Sequence, residues 1–257
     1  MEHSIESAPG ETAQRLLRLA ANGRAGQWSA TQDVDWRRDP RLPIWVTRDQ
    51  ARFAISQLYH GEMATAGMCR KLLSELEAGA ARDCMAFQLA DELRHAEGYG
   101  RYLDRLGGIA PMEDGLASAL DAAAEGPAGT LGAMVAFNVV VEGEVLRLQD
   151  TLVEFLPCPL LKQINRLIAR DEARHVAFGR IYLTQALAAL PPDDCSRLYD
   201  WVHALWHEAS GSTLARRSRN PAVRKILRKW LGKGWRHHQA ALGRIGLKPA
   251  PGTGGPE

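Results

Sequence analysis

Two copies of a five-residue phrase, Asp91-Glu92-Leu93-Arg94-His95 and Asp171-Glu172-Ala173-Arg174-His175, stand eighty residues apart. Each follows a glutamate by thirty residues, Glu62 before Glu92 and Glu142 before Glu172. A Glu and a His three positions apart project from one side of an α-helix, so each phrase presents a carboxylate and an imidazole together. With the two upstream glutamates this makes four carboxylates and two imidazoles in equal register, a donor set that a four-helix bundle uses to hold two metal ions. The repetition therefore constrains the fold: four segments must be helical and must turn these residues toward one interior.

Each thirty-residue interval carries a turn signal near its centre, Ala78-Gly79-Ala80 in the first and Pro157-Cys158-Pro159 in the second. Both intervals read as helical hairpins. At about 1.5 Å rise per residue, roughly fifteen residues up and fifteen down return Glu92 to the level of Glu62, and Glu172 to that of Glu142. Thr47 is a plausible N-cap for a first helix whose apolar pattern runs through Phe53, Leu58, Met63 and Leu72 toward Gly79. The second helix is predicted over about Ala80 to Leu106, the third over Thr130 to Leu156 and the fourth over Leu160 to Leu190. Between Ile109 and Gly129, Pro111, Gly115, Gly126 and Pro127 surround a short helical piece, long enough to cross from one end of a bundle to the other. Two further helices, about Asp193 to Leu214 and Pro221 to Ile245, are expected to pack outside the core. The expected class is all-α: a bundle over residues 44–190, an N-terminal arm over 1–43 with a short amphipathic stretch at Thr12 to Ala21, C-terminal helices over 191–248 and a disordered Pro/Gly-rich tail over 249–257.

Four buried carboxylates without a counter-ion would have to hold protons or pair with cations at large cost. Two divalent cations balance them and leave both imidazoles neutral as nitrogen donors. Mixed oxygen and nitrogen coordination suits iron or manganese, and the absence of thiolates is unlike structural zinc. The predicted metal ligands are Glu62, Glu92, His95, Glu142, Glu172 and His175. Asp91 and Asp171 are expected to accept the second ring N–H of a ligand histidine across the bundle. One Asp-Glu-x-Arg-His phrase alone reads as a solvated charge cluster; the second copy in equal register points to metal. Glu142 and Glu144 lie about 200° apart on a helix, so only one faces inward. The thirty-residue register selects Glu142.

Composition sets bounds. At 257 residues, 46% hydrophobic and 24% charged, the chain suits one globular domain with a sizeable core. Its N-terminus shows no basic segment leading into an apolar run, and no stretch reaches spanning length, so a cytoplasmic protein with no membrane partner is expected. Cys69, Cys84, Cys158 and Cys195 form no C-x-x-C pair, which argues against a disulfide framework and a rubredoxin-like iron site and leaves buried thiols. From Arg216 to Lys248 no acidic residue occurs, while Arg216, Arg217, Arg219, Arg224, Lys225, Arg228, Lys229, Lys233 and Arg236 gather around Trp230 and Trp235. That segment, residues 216–236, is either a solvated helix or a docking face for an anionic carrier. A net charge of +2 gives the whole chain no nucleic-acid-binding character. His203 and His207 read as packing or surface residues, His237-His238 as solvent-facing, and His60 lies off the Glu62 face.

These residues resemble the ferritin-like superfamily, and within it the branch like ribonucleotide reductase small subunits that includes the ligand-binding oxidases. Asn138-Val139-Val140-Val141-Glu142-Gly143 is similar to the third-helix signature of those oxidases, and Asp171 to Gly179 to their fourth. Asp33-Val34-Asp35-Trp36 loosely resembles their N-terminal arm. The resemblance covers about residues 28–185 and implies a ferritin-like four-helix bundle with a dinuclear iron centre. Departures narrow the chemistry. The oxidases carry a Tyr–Val ether crosslink, and the matching positions here are Phe137 and Ala64, which cannot form one. Multicomponent hydroxylases carry a Thr where this chain has Leu146, and arylamine N-oxygenases a His where it has Ile168. Tyr99 falls where reductase small subunits carry a radical tyrosine, which implies a redox role if it is not simply a core aromatic. Pro249 to Glu257 lacks the acidic, aromatic tail of those subunits.

Gly61, Ala64, Ala66 and Gly67 gather small side chains around Glu62, for a cavity or for close packing. Ala64, Phe137, Leu146 and Phe178 are the expected lining of an apolar substrate pocket. The expectation is a non-haem dinuclear iron oxidoreductase, Fe/Fe or Mn/Fe, activating dioxygen to oxygenate, hydroxylate or desaturate a small organic substrate. Its electrons would come from an external donor, since no flavin or nicotinamide fingerprint is present. The expected partners are substrate, dioxygen, an electron-transfer protein and an anionic carrier, with a homodimer admitted. A radical-generating subunit and a non-catalytic iron or ligand binder are the alternatives.

Overall fold

The computed structural model describes residues 10–210 and 221–249, all helix, turn or irregular chain, with no strand among them. The ten helical segments are α1 (Gly10–Ala25), α2 (Arg48–Glu75), α3 (Ala80–Asp104), α4 (Asp114–Ala124), α5 (Thr130–Val135), a π-helical segment (Ala136–Val141), α6 (Glu142–Phe155), α7 (Pro159–Ala188), α8 (Pro192–Ser210) and α9 (Pro221–Arg244). The all-α expectation holds. The third predicted helix is the exception, because it is α-helical only at its two ends and passes through a π turn directly before Glu142.

Contacts divide the chain into two interleaved units, residues 1–112 with 142–178, and residues 113–141 with 179–257. The division anticipated from the sequence ran in chain order, with the crossover and the whole third helix inside the bundle.

In the first unit, Thr47 caps α2 with a reciprocal box: its hydroxyl accepts from Gln50 N at 3.2 Å, and Gln50 Oε1 accepts from Thr47 N at 2.9 Å. Gly79, at φ +151°, makes the turn into α3, a conformation that side chains rarely adopt. Ile55, Leu58, Tyr99, Tyr102, Leu103, Leu160, Leu161, Ile164 and Ile168 form a buried core that Trp28 and Val34 join. The irregular stretch from Trp28 to Pro43 lies on α3 and α7. Trp36 Nε1 donates to Ala30 O at 2.6 Å, Arg105 Nη2 to Trp36 O at 2.5 Å, and Gln163 Nε2 to Asp33 O at 3.0 Å. Cys158 ends the α6–α7 turn with its sulfur accepting from Arg41 N at 3.4 Å. The Tyr102 hydroxyl and the Leu161, Arg41 and Leu160 N–H groups outweigh burial there and pull the thiol below its ordinary pKa. Cys69, Cys84 and Cys158 are buried and Cys195 is partly so, all as free thiols.

In the second unit, Gly179 is fixed by the π segment, because a Cβ there would sit 2.7 Å from Asn138 Cβ. Gly126 is equally constrained: a Cβ would meet the Trp201 ring at 2.4 Å. His238 corrects an expectation of solvent exposure. It is fully buried, 4.5 Å from the Trp206 ring centroid, because Trp235, His238 and Leu242 share one inward stripe of α9. Trp235 is likewise buried and therefore no part of an exposed basic face. Arg216, Arg217 and Arg219, and the tail from residue 250, lie outside the described residues. Among the described residues no helix is long and apolar enough to cross a membrane.

Candidate metal centre

On α2, Glu62 shares its inward face with Ile55, Leu58, Thr65, Ala66 and Cys69, all buried at helical spacing. On α3 the buried face runs Gln88, Asp91, Glu92, His95 and Tyr99. Glu142 opens α6, while Asp171, Glu172 and His175 are buried on α7. The structure brings the six predicted ligands together in two groups of four: Glu62, Glu92, His95 and Glu172, and Glu92, Glu142, Glu172 and His175. Within each group the candidate ligand atoms all lie within 4.8 Å of one another. Glu92 and Glu172 belong to both groups.

Both histidines present Nδ1 to the carboxylates. His95 Nδ1 lies 3.2 Å from Glu172 Oε1, 3.3 Å from Glu62 Oε2 and 3.6 Å from Glu92 Oε2. His175 Nδ1 lies 3.0 Å from Glu172 Oε2, 3.2 Å from Glu92 Oε1 and 3.5 Å from Glu142 Oε1. Their Nε2 atoms point away, to aspartates on the opposite helix: His95 to Asp171 Oδ2 at 3.3 Å, and His175 to Asp91 Oδ2 at 3.1 Å. An aspartate accepting from Nε2 leaves the Nδ1 lone pair free for a cation. The aspartates are held in turn. Arg174 Nη2 lies 2.9 Å from Asp91 Oδ2 and 2.8 Å from Asp171 Oδ1, and Arg94 pairs with Asp91. Trp28 Nε1 donates to Asp171 Oδ2 at 2.6 Å, with its indole stacked on the His95 ring at 6.3 Å.

The electrostatics follow from burying so many carboxylates. Burial, then the neighbouring Glu172 charge, pushes Glu62 and Glu142 well above the ordinary carboxylate range. Burial works the same way on Glu92, but the His175 charge and the bonds from both imidazoles hold it down to about 2. Hydrogen bonds likewise outweigh burial at Glu172, which falls well below its usual value. Burial would lower both imidazoles; the surrounding carboxylates win and raise His95 and His175 well above the usual histidine value. Glu62 Oε1, Glu92 Oε2 and Glu172 Oε1 accept no hydrogen bond among the described residues despite full burial. Orphaned buried acceptors cost free energy. Divalent cations would satisfy them, so the donor set fits a dinuclear metal centre.

Tyr99 lies outside the carboxylate cluster. It is fully buried, donates to Asn165 Oδ1 at 3.1 Å and accepts from Gln149 Nε2 at 3.1 Å. Tyr99, Gln149 and Asn165 each stand seven residues from Glu92, Glu142 and Glu172, a polar tier about 10 Å along the helices from the carboxylates. Glu144 turns away from that interior and pairs with Arg147 at 3.0 Å. His60 bonds Ala110 O at 2.8 Å, off the Glu62 face.

The expected apolar lining is placed less simply. Ala64 is only half-buried, because two residues beyond Glu62 is about 200° around the helix; Thr65 occupies the inward position. Leu146 is half-buried and Phe178 buried in the first unit, and Phe137 is buried in the second. None of the four lines either of two open grooves at the arm, of about 740 and 420 Å³, formed around Asp33 to Arg38 and around Arg37 to Arg41. Next to Glu62, however, the buried Gly61 has open space: a Cβ there would meet nothing within 4 Å. Sequence reasoning missed Trp28 and Gln88 as neighbours of the site. Gln88 was within reach of it, since it precedes Glu92 by one helical turn; nothing local marks Trp28.

No protein-family model matches the chain, and no curated protein matches it. Solved structures do. An R2-like ligand-binding oxidase with an aerobically reconstituted Mn/Fe cofactor matches at 18% identity and a TM-score of 0.59, over 89% of this chain and 93% of that one. A variant with an anaerobically reconstituted Mn/Fe cofactor gives 17% identity and a TM-score of 0.66 over the same shares. The R2-like ligand-binding oxidase from Sulfolobus acidocaldarius gives 17% and 0.61, over 91% and 94%. At such identities the likeness is one of fold, and the fold of this chain is the ferritin-like helical fold of the R2-like ligand-binding oxidases.

Proposed function

We propose that this protein is a dinuclear metal oxidase, with two irons or a Mn/Fe pair, that activates dioxygen to oxygenate, hydroxylate or desaturate a small organic substrate. The observation that carries the reading is the pair of four-residue groups sharing Glu92 and Glu172, all buried, with ligand atoms within 4.8 Å. The Mn/Fe cofactor of solved proteins with this fold supports the choice of metals.

Glu62, Glu92, His95, Glu142, Glu172 and His175 would hold the two metals, with Glu92 and Glu172 common to both groups. When bound, the metal pair supplies the redox chemistry that dioxygen reduction needs. The protein's own residues set the conditions for it. Asp91 and Asp171 hold the imidazoles with Nδ1 inward, and Arg94 and Arg174 balance the aspartate charge that results. Burial excludes water from the carboxylates, and at Gly61, the residue before Glu62, an added Cβ would meet nothing within 4 Å. Two electrons per dioxygen are drawn from an external donor.

Anaerobic ferrous titration tests the reading. Saturation is expected near two ions per chain, and Glu92→Ala combined with His175→Ala should abolish it. Binding that survives both changes places the metals elsewhere. Dioxygen uptake by the loaded protein then separates an oxidase from a protein that only stores metal.

A further inference from the structure

Gln88 stands one turn before Glu92 on the inward face of α3 and is 1% exposed. Its Nε2 donates to Glu142 Oε1 at 2.7 Å and to Glu92 Oε1 at 3.2 Å. Both oxygens also face His175 Nδ1, at 3.5 and 3.2 Å. The opposite half is built differently. Glu62 meets His95 Nδ1 at 3.3 Å through Oε2, while its Oε1 accepts no hydrogen bond among the described residues. One end carboxylate is braced by a neutral amide, and the other keeps an unconstrained oxygen.

We infer that Gln88 is a positioning residue that makes the two halves of the centre unequal: the His175 half is preformed for a divalent cation, and the Glu62 half adjusts as its cation arrives. This rests on the dinuclear reading above. An amide suits the task because it fixes a carboxylate's orientation without adding a positive charge that would compete with the metal. Holding Glu142 in advance also spares the cost of ordering a flexible side chain on binding. Outer partners of this kind typically change metal affinity by about 10–100-fold when removed.

Cobaltous ion, titrated anaerobically into the full chain and followed by visible absorption, tests the inference. The wild-type chain should take up two ions in two resolved steps. Gln88→Met, similar in length but without a donor, should weaken one step about 10-fold and shift its absorption band, leaving the other step nearly unchanged. That effect should persist in a Glu62→Ala background and shrink in Glu142→Ala, where only the bond to Glu92 remains. Unchanged steps, equal weakening of both, or an effect undiminished in Glu142→Ala overturns the inference. Loss of the helical far-ultraviolet signal in both Gln88→Met and Gln88→Glu makes Gln88 a folding residue and also overturns it. A wild-type chain that takes up no cobalt fails the dinuclear reading itself, a result distinct from the others.

Discussion

His175 on α7 turns its Nε2 to Oδ2 of Asp91 on α3, 3.1 Å away, and so commits its Nδ1 to the carboxylate cluster. His95 repeats the arrangement with Asp171, so each Asp-Glu-x-Arg-His phrase supplies the orienting aspartate for the histidine of the other. Asp91→Ala should therefore weaken metal uptake by about 10–100-fold while leaving every proposed ligand in place. Isothermal titration with ferrous ion under nitrogen measures it. An affinity equal to wild type would show that the aspartate does not orient the ring.

Stability without metal should fall as pH rises, and the stabilisation that metal adds should grow. His95 and His175 have raised pKa values, so without a cation their contribution is full below about pH 6.5 and is lost as pH climbs through the raised values. Glu62 and Glu142, also raised, act in the same direction from about pH 4.5 upward. Glu92 and Asp171, both lowered, matter only in acid, where their contribution fades as pH falls through the folded values. Melting temperatures in chelator should thus fall as pH rises above about 6.5. Metal binding releases those same protons, so the gain in Tm on adding ferrous ion should grow over that range. A chelated protein that becomes more stable as pH rises contradicts the assignment.

Tyr99 donates to an amide oxygen and accepts from an amide nitrogen, and none of these hydrogen bonds involves a carboxylate. Tyr99→Phe leaves Gln149 and Asn165 without that shared partner, at a cost of about 1–3 kcal/mol read from chemical denaturation. The same variant decides the redox reading. If Tyr99 is oxidised by the centre, oxygenated, metal-loaded wild type shows a tyrosyl radical signal in electron paramagnetic resonance, and the variant lacks it. A spectrum silent in both leaves Tyr99 a core residue.

Gly61 is buried beside Glu62 and borders open space. Gly61→Leu should fill that space with little backbone strain, preserve two-metal uptake and depress substrate turnover at least about 10-fold by denying room beside the metals. Equal turnover in both proteins would place the substrate elsewhere.

Much of this protein was legible before its fold was seen, for reasons that are local. Thr47 and Gln50 sit three apart and close their own capping box. Gly79 and Pro159 punctuate the hairpins, and an i, i+3 spacing puts Glu92 beside His95 on any helix. Other features depended on distant chain. The π turn at Ala136–Val141 contains no Pro or Gly of its own to mark it, and Gly179, forty-one positions beyond Asn138, is what gives it room. His238 looked exposed beside His237 until Trp206, on another helix, covered it.

The sequence by itself determined that four helices would carry four glutamates and two histidines at one level, because helical rise and register are properties of the backbone. Tertiary structure alone decided which nitrogen of each histidine faces inward, which glutamates are shared, and that Gln88 and Trp28 stand among them. Those choices rest on contacts across 54 to 143 residues, such as Gln88 to Glu142 and Trp28 to Asp171. No local preference encodes such contacts; they are set when buried polar groups must find partners in the packed core.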